Sequence, residues 1–240
     1  MPEAQSPTAV LTTVTLCGYG PAARPWAFNQ MGSSRRVLPK IQGLRFWKLL
    51  GTGRGRGFSL RPDLSRYGLL AVWDSSEAAD RFFQTSALMA AYRQHASEIW
   101  TVRLQTTRAY GAWSGSNPFL PEQQNGSAGP VAVITRATLR PSKVVAFWRA
   151  VPATTAALDR SPGLMASIGI GEVPFIRAAT FSIWRSTEDL EAYAYRTHAH
   201  QEVIRRRRDE GWYTEELFAR FHPLSSSGTW NGRDPLEGLR

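Results

Sequence analysis

Apolar and polar positions alternate in eight short stretches, four in each half of the chain, and two longer stretches per half carry apolar residues at helical spacing. The spacing predicts strands over 10–16, 44–50, 69–73 and 100–106, with helices over 26–38 and 76–96. In the second half it predicts strands over 131–137, 165–170, 179–184 and 213–221, with helices over 143–158 and 187–208. The order in each half is strand, helix, strand, strand, helix, strand, which is the split βαβ, ferredoxin-like unit.

The halves also echo each other residue by residue. Leu70-Ala71-Val72-Trp73-Asp74-Ser75-Ser76-Glu77 corresponds to Phe181-Ser182-Ile183-Trp184-Arg185-Ser186-Thr187-Glu188, each a strand ending in Trp before a capped helix start. Phe82 then answers Tyr193, Trp100 answers Trp212, and Gly111-Ala112-Trp113-Ser114-Gly115 answers Gly228-Thr229-Trp230-Asn231-Gly232. The expected organisation is a half over 1–117, a Pro, Gly, Ser and Gln-rich linker over 118–130, a half over 131–232 and a tail over 233–240. Each small sheet has helices on one face only, so the other face needs cover. Packing the two sheets against each other gives an α+β fold, a pseudo-symmetric structure like a dimeric α/β barrel.

With 240 residues, 42% of them apolar, there is material for a real core. No apolar run approaches the roughly 20 residues that span a bilayer, and residues 1–8 lack a basic segment leading into a long apolar one, so a cytoplasmic protein is expected. One cysteine excludes an intramolecular disulfide and any multi-cysteine metal site; Cys17 follows Val14-Thr15-Leu16 and reads as a buried thiol. The net charge of +10 favours acidic partners. Nucleic acid is not expected, because no helix-turn-helix, zinc-finger or RNP pattern accompanies the charge. The run Arg205-Arg206-Arg207-Arg208 complements a predicted helix end. Peripheral contact with an anionic membrane, or an acidic electron donor, suits the same balance.

Candidate chemistry is sparse. The histidines are His95, His198, His200 and His222, and no HExxH, GxSxG, P-loop or Rossmann pattern is present. Residues 51–57 are glycine-rich but lead into another strand, so they read as a mobile loop instead of a phosphate cradle. On the predicted helix from 187, Leu190, Tyr193, Thr197, His200 and Ile204 share one face, whereas His198 falls about 200° away from His200 with Ala194, Gln201 and Arg205. A lone inward histidine is ordinarily a hydrogen-bonded core residue. One histidine also suffices to hold a haem iron, since the porphyrin supplies four ligands. Periodicity leaves both readings open.

The segments Phe46-Trp47-Lys48-Leu49-Leu50-Gly51-Thr52-Gly53, Ala71-Val72-Trp73, Glu98-Ile99-Trp100-Thr101, Trp113-Ser114-Gly115, Phe147-Trp148-Arg149-Ala150, Ser167-Ile168-Gly169-Ile170-Gly171-Glu172 and Trp212-Tyr213-Thr214-Glu215-Glu216-Leu217-Phe218-Ala219-Arg220-Phe221 make the chain resemble the spheroidene monooxygenase family. The resemblance runs from about residue 10 to 232. It implies a haem b monooxygenase, supplied by reduced ferredoxin, that introduces a keto group at C-2 of acyclic carotenoids. It also matches the family's histidine to His200, making that residue the candidate axial ligand. Two hydroxylations of one carbon and loss of water would give the ketone.

A long hydrophobic substrate needs apolar walls, for which Phe46, Trp47, Trp100, Trp184 and Trp212 are candidates, with Lys48, Tyr193 and Thr197 beside substrate or haem. Each tryptophan is also an ordinary core residue. Lys48, Arg45, Arg149 and Arg177 are weighed as partners of haem propionates against ordinary surface cations. The alternatives are a haem enzyme of the same fold acting on another hydrophobic small molecule, and a non-catalytic barrel that binds a hydrophobic ligand.

Overall fold

Strand alternation in this chain resolves into one closed barrel. The computed structural model describes residues 10–121, 129–196 and 211–238. The strands are β1 (Leu11–Gly18), β2 (Leu44–Gly53), β3 (Pro62–Trp73), β4 (Glu98–Gly111), β5 (Val131–Leu139), β6 (Leu164–Val173), β7 (Arg177–Trp184) and β8 (Tyr213–Gly228). The helices are α1 (Arg24–Ser33), α2 (Ser76–Thr85), α3 (Ala87–His95), α4 (Val144–Asp159) and α5 (Thr187–Arg196). Around the barrel the order is β1-β3-β2-β6-β7-β5-β8-β4, and every neighbouring pair is antiparallel.

The two sheets join edge to edge through unequal seams. β4 and β8 pair over most of their length, from Trp100↔Gly228 to Gly111↔Leu217. β2 and β6 meet only at Gly51↔Gly171 and Thr52↔Ile170. Alternation sorts side chains to two sides. Val14, Leu70, Val72, Trp100, Val102, Ile134, Phe181, Ile183 and Phe221 fill the barrel interior. Trp73, Leu69 and Leu49 face outward beneath α2 and α3, and Val131, Val133 and Trp184 face outward beneath α4 and α5.

The repeated glycine turns plug the two ends. Gly111 (φ +87°) and Gly228 (φ +78°) close β4 and β8, where a Cβ would sit 2.1 Å from the Glu216 carbonyl oxygen and 1.9 Å from that of Ile99. Only glycine tolerates both the conformation and the approach. The turns that follow bury Trp113 and Trp230 in the interior. Residues 233–238, expected as a tail, fold back: Leu236 joins the barrel core, and Asp234 accepts bonds from the Trp100 indole (2.9 Å) and the Ser226 hydroxyl (2.6 Å).

Three expectations are revised. The helix over 76–96 is two helices, because Ser86 is extended (ψ 133°) and its hydroxyl caps α3 by accepting from the Met89 N–H at 3.0 Å. The helix over 26–38 gives way after Ser33 to 3-10 turns ending at Lys40, with Pro39 in the last. Trp100 and Trp212 are not equivalent. Trp100 lies inside the barrel, while Trp212 lies outside it, packed with Phe147 of α4.

Candidate active site

The halves treat the space under their helices differently. In the first half Leu88, Met89 and Tyr92 of α3 fill it against Leu49, Leu69 and Trp73. In the second half a cavity of about 290 Å³ remains between the outer face of β5, β7 and β8 and the helices α4 and α5, at the lower end of small-molecule pockets. Its walls include Val133, Phe147, Leu158, Trp184, Tyr193 and Trp212.

Each wall element has a local cause. Trp184 ends β7, its indole N–H donating to the Ser182 hydroxyl at 3.0 Å, and Tyr193 stacks on it from α5 at 5.1 Å. Burial pushes the Tyr193 phenol up to about 12, so it stays protonated at neutral pH. Trp212 packs edge-on to Phe147 at 6.2 Å. The first half also contributes. The glycine-rich hairpin between β2 and β3 reaches across the short seam, placing Phe58 against Phe147 at 5.3 Å and Gly57 in the cavity wall. A Cβ on Gly57 would meet the Thr155 hydroxyl at 2.7 Å, and one on Gly169 would meet the Gly57 carbonyl oxygen at 2.3 Å. At Gly57 the segment expected as a mobile loop is therefore seated against α4 and β6, while Arg54, Gly55 and Arg56 are exposed.

Of the sequence candidates, Trp184, Tyr193 and Trp212 come together in this cavity. Phe46, Trp47, Lys48 and Trp100 do not. Phe46 and Trp100 pack in the barrel interior and Trp47 under the first-half helices. The physical reason is strand periodicity: neighbours on one strand face opposite sides of the sheet. Thr197 and His200 lie outside the described residues, as does His198. The described part of the predicted helix face, Leu190 and Tyr193, does line the cavity, and so does Ala194, which was expected on the wetter side. None of Arg45, Lys48, Arg149 and Arg177 lines it; Arg45 pairs with Asp74 at 3.3 Å. Three arginines that sequence reasoning did not single out, Arg108, Arg136 and Arg220, do.

Lys48 belongs to a buried ionic cluster inside the barrel. Its ammonium lies 2.9 Å from Glu172, which also accepts from the Trp113 indole at 2.6 Å. Arg136, almost fully buried, pairs with Glu215, which accepts from the Gly115 N–H at 2.7 Å. Burial would raise the Glu215 carboxyl, but the Gly115 N–H and the Arg136 charge outweigh it and hold the group below its ordinary value. The cluster ties β2, β5, β6 and β8 around the Trp113 plug. It is a structural clasp whose paired side chains lie on the inner side of the sheet, with Arg136 also bordering the cavity.

Neither described histidine lines the cavity. His95 stacks on Trp26 at 3.9 Å, with Nδ1 3.0 Å from the Ala91 carbonyl oxygen. Cys17 is buried and its thiol is pushed up to about 12 by burial, partly offset by a bond with Tyr19, as suits an inert core residue.

Comparison with known proteins places this geometry. The chain is 39% identical over 219 residues to spheroidene monooxygenase of Rhodobacter capsulatus, covering 90% of this chain and 91% of that protein. It is 40% identical over 222 residues to the enzyme of the same name from Rubrivivax gelatinosus, covering 91% and 84%. The chain belongs to the spheroidene monooxygenase family. Family membership makes it an oxidoreductase of the monooxygenase class. Residues 131–220, which carry most of the cavity wall, match a domain of unknown function, DUF3291. Among solved structures, aldoxime dehydratase in complex with butyraldoxime superposes with a TM-score of 0.59 at 11% identity, covering 95% of this chain and 84% of that one. That likeness concerns the fold.

Proposed function

We propose that this protein is a haem-dependent monooxygenase that introduces a keto group at C-2 of acyclic carotenoids, with reduced ferredoxin as donor and the second-half cavity as its site. The observation that carries the reading is the aromatic cavity beneath α5, in a chain related over nine-tenths of its length to spheroidene monooxygenases. The residues present fit haem b: flat aromatic walls suit a macrocycle, and two arginines suit its anionic edge. Haem would supply the activation of dioxygen. The chain's own part is to wall the site from water with Trp184, Trp212, Phe147 and Phe58, and to offer a protonated Tyr193 phenol that is no base at neutral pH. His200, a few residues beyond the described end of α5 in the sequence, is the residue that would hold the haem iron.

Two further readings belong with this one. The strand order β4-β1-β3-β2 in the first half and its counterpart β8-β5-β7-β6 in the second support ferredoxin-like halves, with the boundary in 118–130. The net charge of +10 supports peripheral contact with an anionic membrane, where carotenoids reside; no helix among the described residues is long and apolar enough to cross one. The deciding experiment is a visible spectrum of the purified protein followed by turnover with spheroidene and reduced ferredoxin. A Soret band with a ketone product supports the proposal; a protein that forms the ketone without haem overturns the cofactor, and a haem protein inactive on acyclic carotenoids overturns the substrate.

A further inference from the structure

The outer end of β4 carries an irregularity that its sequence does not announce. Trp100, Val102, Leu104 and Thr106 are all buried on the inner side of the barrel, and simple alternation would send Arg108 the same way. A bulge against β8 between Thr106 and Arg108 breaks the period. Arg108 emerges on the outer face opposite Arg220, and Tyr110 opposite Phe218, where the two rings stack at 5.1 Å. The Arg108 guanidinium lies 5.8 Å from the Tyr110 ring centre, which restrains it. Both arginines line the cavity.

Like charges directly opposite one another on a sheet face destabilise the pair. Among the described residues no carboxylate is in ion-pair contact with either guanidinium. Across the sheet, on β6, the Ser167 hydroxyl also lines the cavity, is only 6% exposed and has no hydrogen-bond partner among the described residues. A bulge that delivers an exposed second arginine opposite the half-buried first, at the edge of a cavity that also holds a buried hydroxyl without a partner among the described residues, is an arrangement that an occupant would use.

We infer that Arg108 and Arg220 form a clamp for the carboxylates of an amphipathic ligand whose apolar body fills the cavity. An acyclic carotenoid such as spheroidene carries no anionic group to balance two guanidiniums, so the clamp serves a carboxylate-bearing ligand. The propionates of a tetrapyrrole and the head of a long-chain carboxylic acid share this chemistry. The inference rests on the cavity being the ligand site, but not on haem being the ligand.

The test titrates the full chain with haemin, with haemin dimethyl ester and with the fluorescent polyene cis-parinaric acid, in wild type and in Arg108→Gln and Arg220→Gln. The clamp predicts that haemin binds about tenfold or more tighter than its ester, and that each variant erases that difference. It also predicts that the unliganded variants unfold at the same temperature as wild type or higher, because a repulsion has been relieved. An ester bound as well as the free acid, or variants that keep the discrimination, overturns the clamp while leaving a haem site intact. Haemin failing to bind while parinarate binds and is weakened in both variants upholds the clamp and removes haem. If neither probe binds wild type, the clamp falls with the cavity.

Discussion

Tyr193 stacks on Trp184 with ring centres 5.1 Å apart and planes 29° apart, at the position where Phe82 lies on Trp73 at 5.0 Å and 40° in the other half. The same strand-end tryptophan meets the same helix position twice. What differs is the next layer: around Trp73 the helices close, and around Trp184 they leave a cavity. One tryptophan is enclosed by packing while its twin borders a cavity.

That divergence gives a paired expectation. Trp73→Ala and Trp184→Ala each remove a fully buried indole and should each cost about 3–5 kcal/mol in urea unfolding. Turnover corrected for folded fraction should fall sharply only for Trp184→Ala. Equal losses of turnover per folded molecule would mean that the second-half cavity has no special part.

The hairpin that crosses the seam gives another. In Gly169→Ala the new Cβ would press on the Gly57 backbone, which cannot yield as a side-chain tip can, so the hairpin must lift and Phe58 leave Phe147. A loss of about 1–3 kcal/mol is expected, with faster tryptic cleavage at Arg54 or Arg56. Cleavage unchanged from wild type would show that the hairpin does not depend on that contact.

The ionic cluster inside the barrel makes a pH-dependent contribution. Glu215 has its carboxyl held below the ordinary value in the folded protein, so its stabilisation is present above the unfolded pKa of about 4.3 and is lost as pH falls through the lower folded value. Glu215→Gln should destabilise the protein at neutral pH by up to about 3 kcal/mol, because Arg136 keeps its buried charge with only Glu172, 3.8 Å away, to balance it. It should also flatten the acid limb of the stability curve. An acid limb of unchanged slope would assign the acid sensitivity to other groups.

The strands were legible because each barrel strand buries one face or both, which leaves a periodic trace, as in Leu70-Ala71-Val72-Trp73. The outer reaches of β4 and β8 were not. Gln105 to Arg108 is polar and is held extended by its partner strand instead of by its own pattern. Trp184 and Tyr193, singled out through the repeat and the helix spacing, border the cavity. Trp47 and Lys48 do not, since an aromatic motif announces burial without saying which side of a closed sheet each residue takes. Arg108 escaped for the strongest reason: its placement depends on a bulge, and a bulge is a property of the pairing between two strands, not of either sequence.

The last expectation concerns His200. Leu190 and Tyr193 of α5 face the cavity, and continuing their three- and four-residue spacing reaches Thr197 and His200, whereas His198 stands about 200° from His200 on a helix. The resemblance to the spheroidene monooxygenase family selects the same histidine by a separate route. Neither described histidine competes, since His95 is stacked on Trp26 in the first half and His222 does not line the cavity. His200→Ala should therefore yield folded protein with little haem and no ketone product, while His198→Ala keeps both. Activity alone does not discriminate, because removing an imidazole that packs in a fold can leave a destabilising cavity. Haem stoichiometry must be read with circular dichroism, and imidazole added to His200→Ala should restore part of the Soret absorbance by occupying the vacated ligand position. Equal haem content in the two variants, or a loss in His200→Ala that tracks unfolding and resists imidazole, would remove His200 from the iron.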